Sequence, residues 1–171
     1  MTEGGDTTTA LKVKTTIGVI MRGDYMSRES SLWARIRDTA VPELLWKKHT
    51  VDLQRLENSV GQGHPDVEGC IDGAQVWIEL KSEDRPARLT TLIHPKTRPS
   101  QSIWHEERTK AGSRIHWVLL QVGEGRKARL YLIPGDRYDE VKATEPELEE
   151  LSVLPPTASL ADVLLRATRG W

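Results

Sequence analysis

Asp72-Gly73 lies between two runs rich in apolar and β-branched residues, and no other feature of the chain constrains its fold as tightly. An Asp-Gly pair in that setting favours a two-residue type I′ hairpin, and the loop length fixes which residues oppose each other. With Asp72 and Gly73 as the loop, residues 64–70 and 75–81 become antiparallel strands whose opposed numbers sum to 145. Asp66 then faces Glu79, and His64 faces Lys81. Strand alternation gathers Glu79 and Lys81 on the face of Asp66 and turns Val67, Val76, Ile78 and Leu80 to the other. One face is chemical and the other is packing.

Two opposed carboxylates with Cβ atoms about 4.5–5.5 Å apart repel each other, so something positive belongs between them. Oxygen ligands on a rigid hairpin suit a hard divalent cation that keeps several waters, Mg²⁺ or Mn²⁺, held by Asp66 and Glu79 with the Leu80 carbonyl completing the set. Lys81 is a poor further ligand but is suited to hold an attacking water or a phosphate oxygen. Together these groups suit phosphodiester hydrolysis. Cys70 is the single cysteine, which excludes an internal disulfide and a zinc site of several thiolates. His94, His105 and Glu106 suggest an imidazole-metal site, but no strand-turn framework holds them together.

A formal charge of −1 argues at first against a nucleic-acid partner. The average hides a segregation. Residues 1–80 carry 9 basic and 12 acidic side chains, residues 81–129 carry 11 and 5, and residues 130–171 carry 4 and 8. The basic block permits a phosphate partner; Arg85, Arg88, Lys96, Arg98 and Arg108 from it, and His64 facing Lys81, are the candidate nucleic-acid contacts. No apolar run approaches the roughly 20 residues that cross a bilayer, and the first ten residues lack a signal-like core. A cytoplasmic protein with no membrane partner is expected.

The 171 residues suit one domain. Residues 1–10 read as a flexible start and 11–20 as a weak strand or arm. A helix is expected over 27–39, with Ser27 or Ser30 as cap, Leu32, Trp33 and Ile36 at helical spacing, and an added turn at 44–46. Residues 50–56 read as a strand, followed by the loop from Asn58 to Gly63. A long proline-bearing loop over 82–100 precedes a helix that Gly112 stops; residues 115–122 and 127–133 read as strands. Trp33, Trp46 and Trp117 read as core. The expected organisation is an α/β nuclease domain over 11–135 and, over 136–171, an acidic C-terminal extension with a short helix.

At Pro65-Asp66, Ile78-Glu79-Leu80-Lys81, Gln101, Gly112 and the strand from Trp117 to Leu120, the chain resembles the PD-(D/E)XK nuclease superfamily. Within it the likeness is to compact, often phage-encoded VRR-NUC and Holliday-junction-resolvase-like nucleases, joined by Arg55-Leu56-Glu57-Asn58, Gly61 and Gly63. The resemblance covers about residues 57–120. It implies a restriction-endonuclease-like αβββαβ core, a central mixed sheet flanked by helices, and a Mg²⁺-dependent endonuclease on branched or recombining DNA, in host cytoplasm if phage-encoded. It also implies Asp66 and Glu79 as metal ligands, Lys81 as catalytic lysine and Gln101 as the helix residue approaching the site. Glu29 is the best match for a further acid from the first helix, with Glu43 next; Glu57 is another candidate ligand. Resolving a junction takes two sites, hence a homodimer by analogy. A non-catalytic DNA-binding or assembly module on the same fold, and an RNA nuclease, stay open.

Overall fold

Asp72 and Gly73 both take left-handed backbone conformations, with φ of 51° and 81°, as a type I′ turn requires. Strands β2 (Val67–Ile71) and β3 (Ala74–Glu83) leave the turn in the expected register, Ile71 opposite Ala74 and Val67 opposite Ile78. The Asp72 carboxylate accepts from the Thr50 amide at 2.8 Å and meets His49 Nδ1 at 2.7 Å. These bonds hold its carboxyl below the usual range and fasten the turn to β1 (Val51–Arg55), which pairs antiparallel with β2. The computed structural model describes residues 28–56 and 63–171. The expectations for residues 1–10 and 11–20, for a Ser27 cap and for Glu57 and Asn58 lie outside the described residues.

Helix α3 (Pro99–Lys110) carries the chain from β3 to β4 (His116–Val122), the kind of crossover that a parallel pair demands. β5 (Arg129–Pro134) returns antiparallel, and the strands lie in the order β1-β2-β3-β4-β5. This is the expected mixed α/β architecture, with a mixed sheet flanked by helices. On one face Val67, Val76, Ile78, Leu80, Trp117, Leu119 and Leu132 are fully buried under α1 (Arg28–Arg35), α2 (Val41–Trp46) and α5 (Leu160–Ala167). The other face buries Val118, Leu120, Tyr131 and Ile133 against Tyr138, Val141 and α4 (Glu145–Leu151). Among the described residues no helix is long and apolar enough to cross a membrane.

Three expectations change. The segment 136–171 is no extension: Tyr138, Val141, Leu148 and Leu151 cover one sheet face, and Val163, Leu164 and Ala167 cover the other. The first helix does not stop at residue 39, because a π-helical stretch, Ile36–Ala40, leads directly into α2. Pro42 cannot donate to the preceding turn, and the wider turn, in which the Val41 amide reaches Ile36 O, accommodates it. Trp46 falls at the end of that run and is 80% exposed rather than core. Trp117 is buried, its Nε1 donating to Ala167 O at 2.8 Å, and Trp33 is partly buried.

Candidate active site

The β2–β3 ladder ends one pair short of Asp66 and Glu79, because the chain turns out of the strand before Val67. Asp66 is tied down all the same. Its Oδ2 accepts from the Leu80 amide at 2.9 Å, and its carbonyl accepts from the Leu56 amide at 2.8 Å. Glu79 and Lys81 stand on the face expected for them, in register with Val118 and Leu120 of β4. Glu79 is fully buried; its Oε1 accepts from Lys81 Nζ at 2.6 Å and from Gln101 Nε2, and its Oε2 has no partner among the described residues. Burial, then the Asp66 charge, pushes the Glu79 carboxyl up to about 8 against the pull of Lys81.

Gln101 sits in the first turn of α3 and faces down onto this pair. Its Oε1 accepts from Lys81 Nζ at 3.2 Å and from the Tyr138 hydroxyl at 2.7 Å, while that hydroxyl accepts from the Arg98 amide at 3.3 Å. The amide therefore has one orientation, its oxygen toward Lys81 and Tyr138 and its nitrogen toward Glu79. A cavity of about 250 Å³ opens beside the pair, lined by Glu29, Arg55, Asp66, Glu79, Lys81, Lys96, Arg98 and Gln101. Asp66, Glu79, Lys81, Gln101, Glu29, Lys96 and Arg98 are thus brought together, as expected.

Other candidates fall elsewhere. His64 does not oppose Lys81; its ring lies 6.4 Å from that of Trp77 and 6.0 Å from that of Trp104. Arg85 is no free phosphate contact, because it grips the buried Glu145 at 2.9 and 3.2 Å. Arg88 is exposed and lies outside the cavity wall, and Arg108 stacks on tryptophan. Glu43 pairs with Lys47 at 2.7 Å instead of lining the cavity. Leu80 has its side chain in the core and its amide on Asp66. His94 is exposed and Glu106 pairs with Lys110, so neither joins His105.

Arg55 stands in the sequence only as part of the stretch that carries the resemblance, with no role at the site, and Tyr138 is not a sequence candidate. Arg55 carried a signal, being the last residue of a strand whose pairing brings its end beside Val67. Tyr138 carried none that is local. The 84–98 loop is pinned at several points: Arg28 holds Asp84 at 2.7 Å, the Ile93 amide donates to Ala143 O at 2.9 Å, and the Arg98 amide reaches Tyr138. It presents Lys96 and Arg98 to the cavity from a fixed backbone.

Among the described residues no group of three or more His, Cys, Asp or Glu side chains forms a complete ligand set. Mg²⁺ does not demand one, because it keeps several waters and is commonly bound through one or two carboxylates. No protein-family model matches the chain, and no curated protein matches it either. Geometry and chemistry carry the functional assignment.

Behind Gln101, His105 and His116 are buried with their Nδ1 atoms 2.9 Å apart, so one ring donates while the other accepts and both are neutral. Burial above all pushes His105 down to about 3 and His116 down to about 4. The unfolded chain then takes up protons first as pH falls below about 6.5, and stability drops by up to about 1.4 kcal/mol per pH unit for each ring until the folded values are reached. A His105→Gln/His116→Gln variant should lose this slope between pH 6.5 and 4 in denaturant titrations. An unchanged slope would mean the rings titrate freely in the folded protein.

Proposed function

We propose that the chain is a Mg²⁺- or Mn²⁺-dependent PD-(D/E)XK-type nuclease with a restriction-endonuclease-like core. It hydrolyses DNA phosphodiester bonds, acting as an endonuclease on branched or recombining DNA. The observation that carries this reading is Glu79, a carboxyl wholly out of water, with one oxygen unpartnered among the described residues, beside Asp66. Burying such a group is costly without a partner of opposite charge, and Lys81 engages only its other oxygen. The donor set fits a hard cation: Asp66 and Glu79 would hold it, with Glu29 and the Leu80 carbonyl as further oxygens. When bound, the ion supplies a Lewis acid that offsets charge on the phosphate and favours ionisation of water.

The remaining work falls to side chains on the same wall. Lys81 holds an attacking water or a phosphate oxygen with its ammonium and stabilises negative charge as it develops. Arg55, Lys96 and Arg98 bind the phosphates of the incoming strand, and Gln101, fixed by Tyr138, keeps Glu79 and Lys81 aligned. The water gives up a proton to solvent and its oxygen bonds to phosphorus as the bond to the leaving sugar oxygen breaks, and that oxygen takes up a proton. A module that needed only affinity for DNA would gain nothing from the buried carboxylate, which weighs against the non-catalytic alternative.

The test is incubation with linear, nicked, flapped and four-way DNA, and with RNA, in Mg²⁺ or Mn²⁺. Cleavage is expected in either ion and none in excess EDTA. Cleavage that survives EDTA would overturn the metal chemistry, and RNA cut in preference to DNA would reassign the substrate.

A further inference from the structure

β3 carries Trp77 on the same face as Glu79, one alternation and roughly 7 Å back along the strand. Above it, α3 presents Trp104, one turn beyond Gln101, and then Arg108, a further turn along. The two indoles lie 5.6 Å apart at a tilt of 55°. The Arg108 guanidinium is 5.4 Å from the centre of Trp77 and 5.0 Å from that of Trp104, within cation–π range of both. His64 closes the cluster, with Nδ1 buried and unpartnered among the described residues. This patch is outside the wall of the cavity already described.

Among the described residues Arg114 and Arg166 each lie over one tryptophan ring, and Arg108 lies over two. Arg28, Arg85, Arg129 and Arg137 each grip a carboxylate, whereas among the described residues no carboxylate pairs with Arg108. It is nevertheless exposed and immobilised by two aromatic faces. A guanidinium so held has its donor edge free and its rotamer entropy already spent, which suits it to a planar, two-oxygen anion. Lying over Trp77, one alternation back from Glu79 on β3, it stands beside a strand whose scissile linkage lies in the cavity.

We propose that Arg108, laid on Trp77 and Trp104, is a backbone subsite that takes a phosphate of the nucleotide next to the scissile linkage. The ligand class is the phosphodiester backbone of a nucleic acid, read without reference to base identity. The substrate, though not the geometry, rests on the nuclease reading. Because stacking and the two-donor fork do the binding, charge alone cannot replace Arg108. Trp77 matters although it touches no phosphate.

The experiment compares wild type with Arg108→Ala, Arg108→Lys and Trp77→Leu in the full chain, each checked for folding by circular dichroism. Binding of labelled DNA is measured by anisotropy across a salt series in EDTA, and cleavage is measured in Mg²⁺. Arg108→Ala should weaken binding about tenfold, with a salt slope lower by about 0.7–0.9, as for one lost phosphate contact. It should raise KM more than it lowers kcat. Arg108→Lys should recover less than half of the lost affinity on a logarithmic scale, and Trp77→Leu should fall between wild type and Arg108→Ala.

Wild-type affinity and salt slope in folded Arg108→Ala, or full recovery in Arg108→Lys, would overturn the subsite. If wild type cleaves DNA while both Arg108 variants match it, the subsite fails and the nuclease reading stands. If wild type binds DNA in this Arg108-dependent way without cleaving it, the subsite stands and the nuclease reading fails. If wild type neither binds nor cleaves, both fail.

Discussion

Glu79→Gln is expected to lower metal-dependent cleavage by about 10³-fold or more, the scale on which removing a principal electrostatic stabiliser acts. Asp66→Asn should do the same, and the double variant should be little worse than either single one, because the two carboxylates act as one unit. The amide in Glu79→Gln keeps the shape and retains an oxygen for Lys81, so the lost activity is not a lost fold. Stability should move in an informative direction. In metal-free protein the Glu79 carboxyl is raised to about 8 from an ordinary 4.5, so the folded state keeps a proton that the unfolded chain releases. Wild type therefore loses stability as pH rises from 4.5 to 8, by up to about 1.4 kcal/mol per pH unit, and the Gln variant escapes that loss. Chemical unfolding in EDTA at both ends of that window reads the difference. Equal slopes, or a variant that still cleaves at the wild-type rate, would remove Glu79 from the site.

The hairpin was legible in the sequence because its information is local. Asp-Gly can supply two left-handed residues in a row, and once the loop length is set, alternation decides which side chains share a face. Lys81 above Glu79 follows from that alone. Glu29 and Glu43 show where local information ends. Both are acids on the first helical run, but the π-helical stretch between them adds to the turn and shifts the phase of everything after it by about 100° relative to a regular α-helix. Glu29 lines the cavity, while Glu43 is carried round to Lys47.

The same limit hid Tyr138 and misassigned Arg85. Their partners, Gln101 and Glu145, are 37 and 60 residues away along the chain. Periodicity says that a residue faces inward but not what it meets there. Charge segregation likewise places Arg85 among the free cations, since composition cannot foresee that Glu145 will be buried and will need two arginines, Arg85 and Arg129, to balance it. The acidic stretch read as a tail is thereby part of the scaffold.

Lys81→Met should lower kcat by about 10²–10⁴-fold, the range for loss of a positioned proton-transfer or charge-stabilising group. Met keeps most of the buried aliphatic volume, and DNA affinity should fall little because Arg55, Lys96 and Arg98 remain on the cavity wall. The contrary possibility is that Lys81 serves only to balance a buried carboxylate, since it is 4% exposed and 2.6 Å from Glu79. The two roles separate cleanly. A purely structural lysine, once removed, would leave Glu79 without its partner and destabilise the fold by up to about 3–5 kcal/mol where that carboxyl is ionised, yet turnover by the molecules that remain folded would be intact. Neutralising both partners, as Lys81→Met with Glu79→Gln, should restore most of that stability while leaving cleavage no better than in Glu79→Gln alone. Turnover per folded molecule within about twofold of wild type in Lys81→Met, measured at saturating DNA, would assign the lysine to the ion pair; a loss confined to kcat, in protein that unfolds at the expected denaturant concentration, assigns it to the reaction.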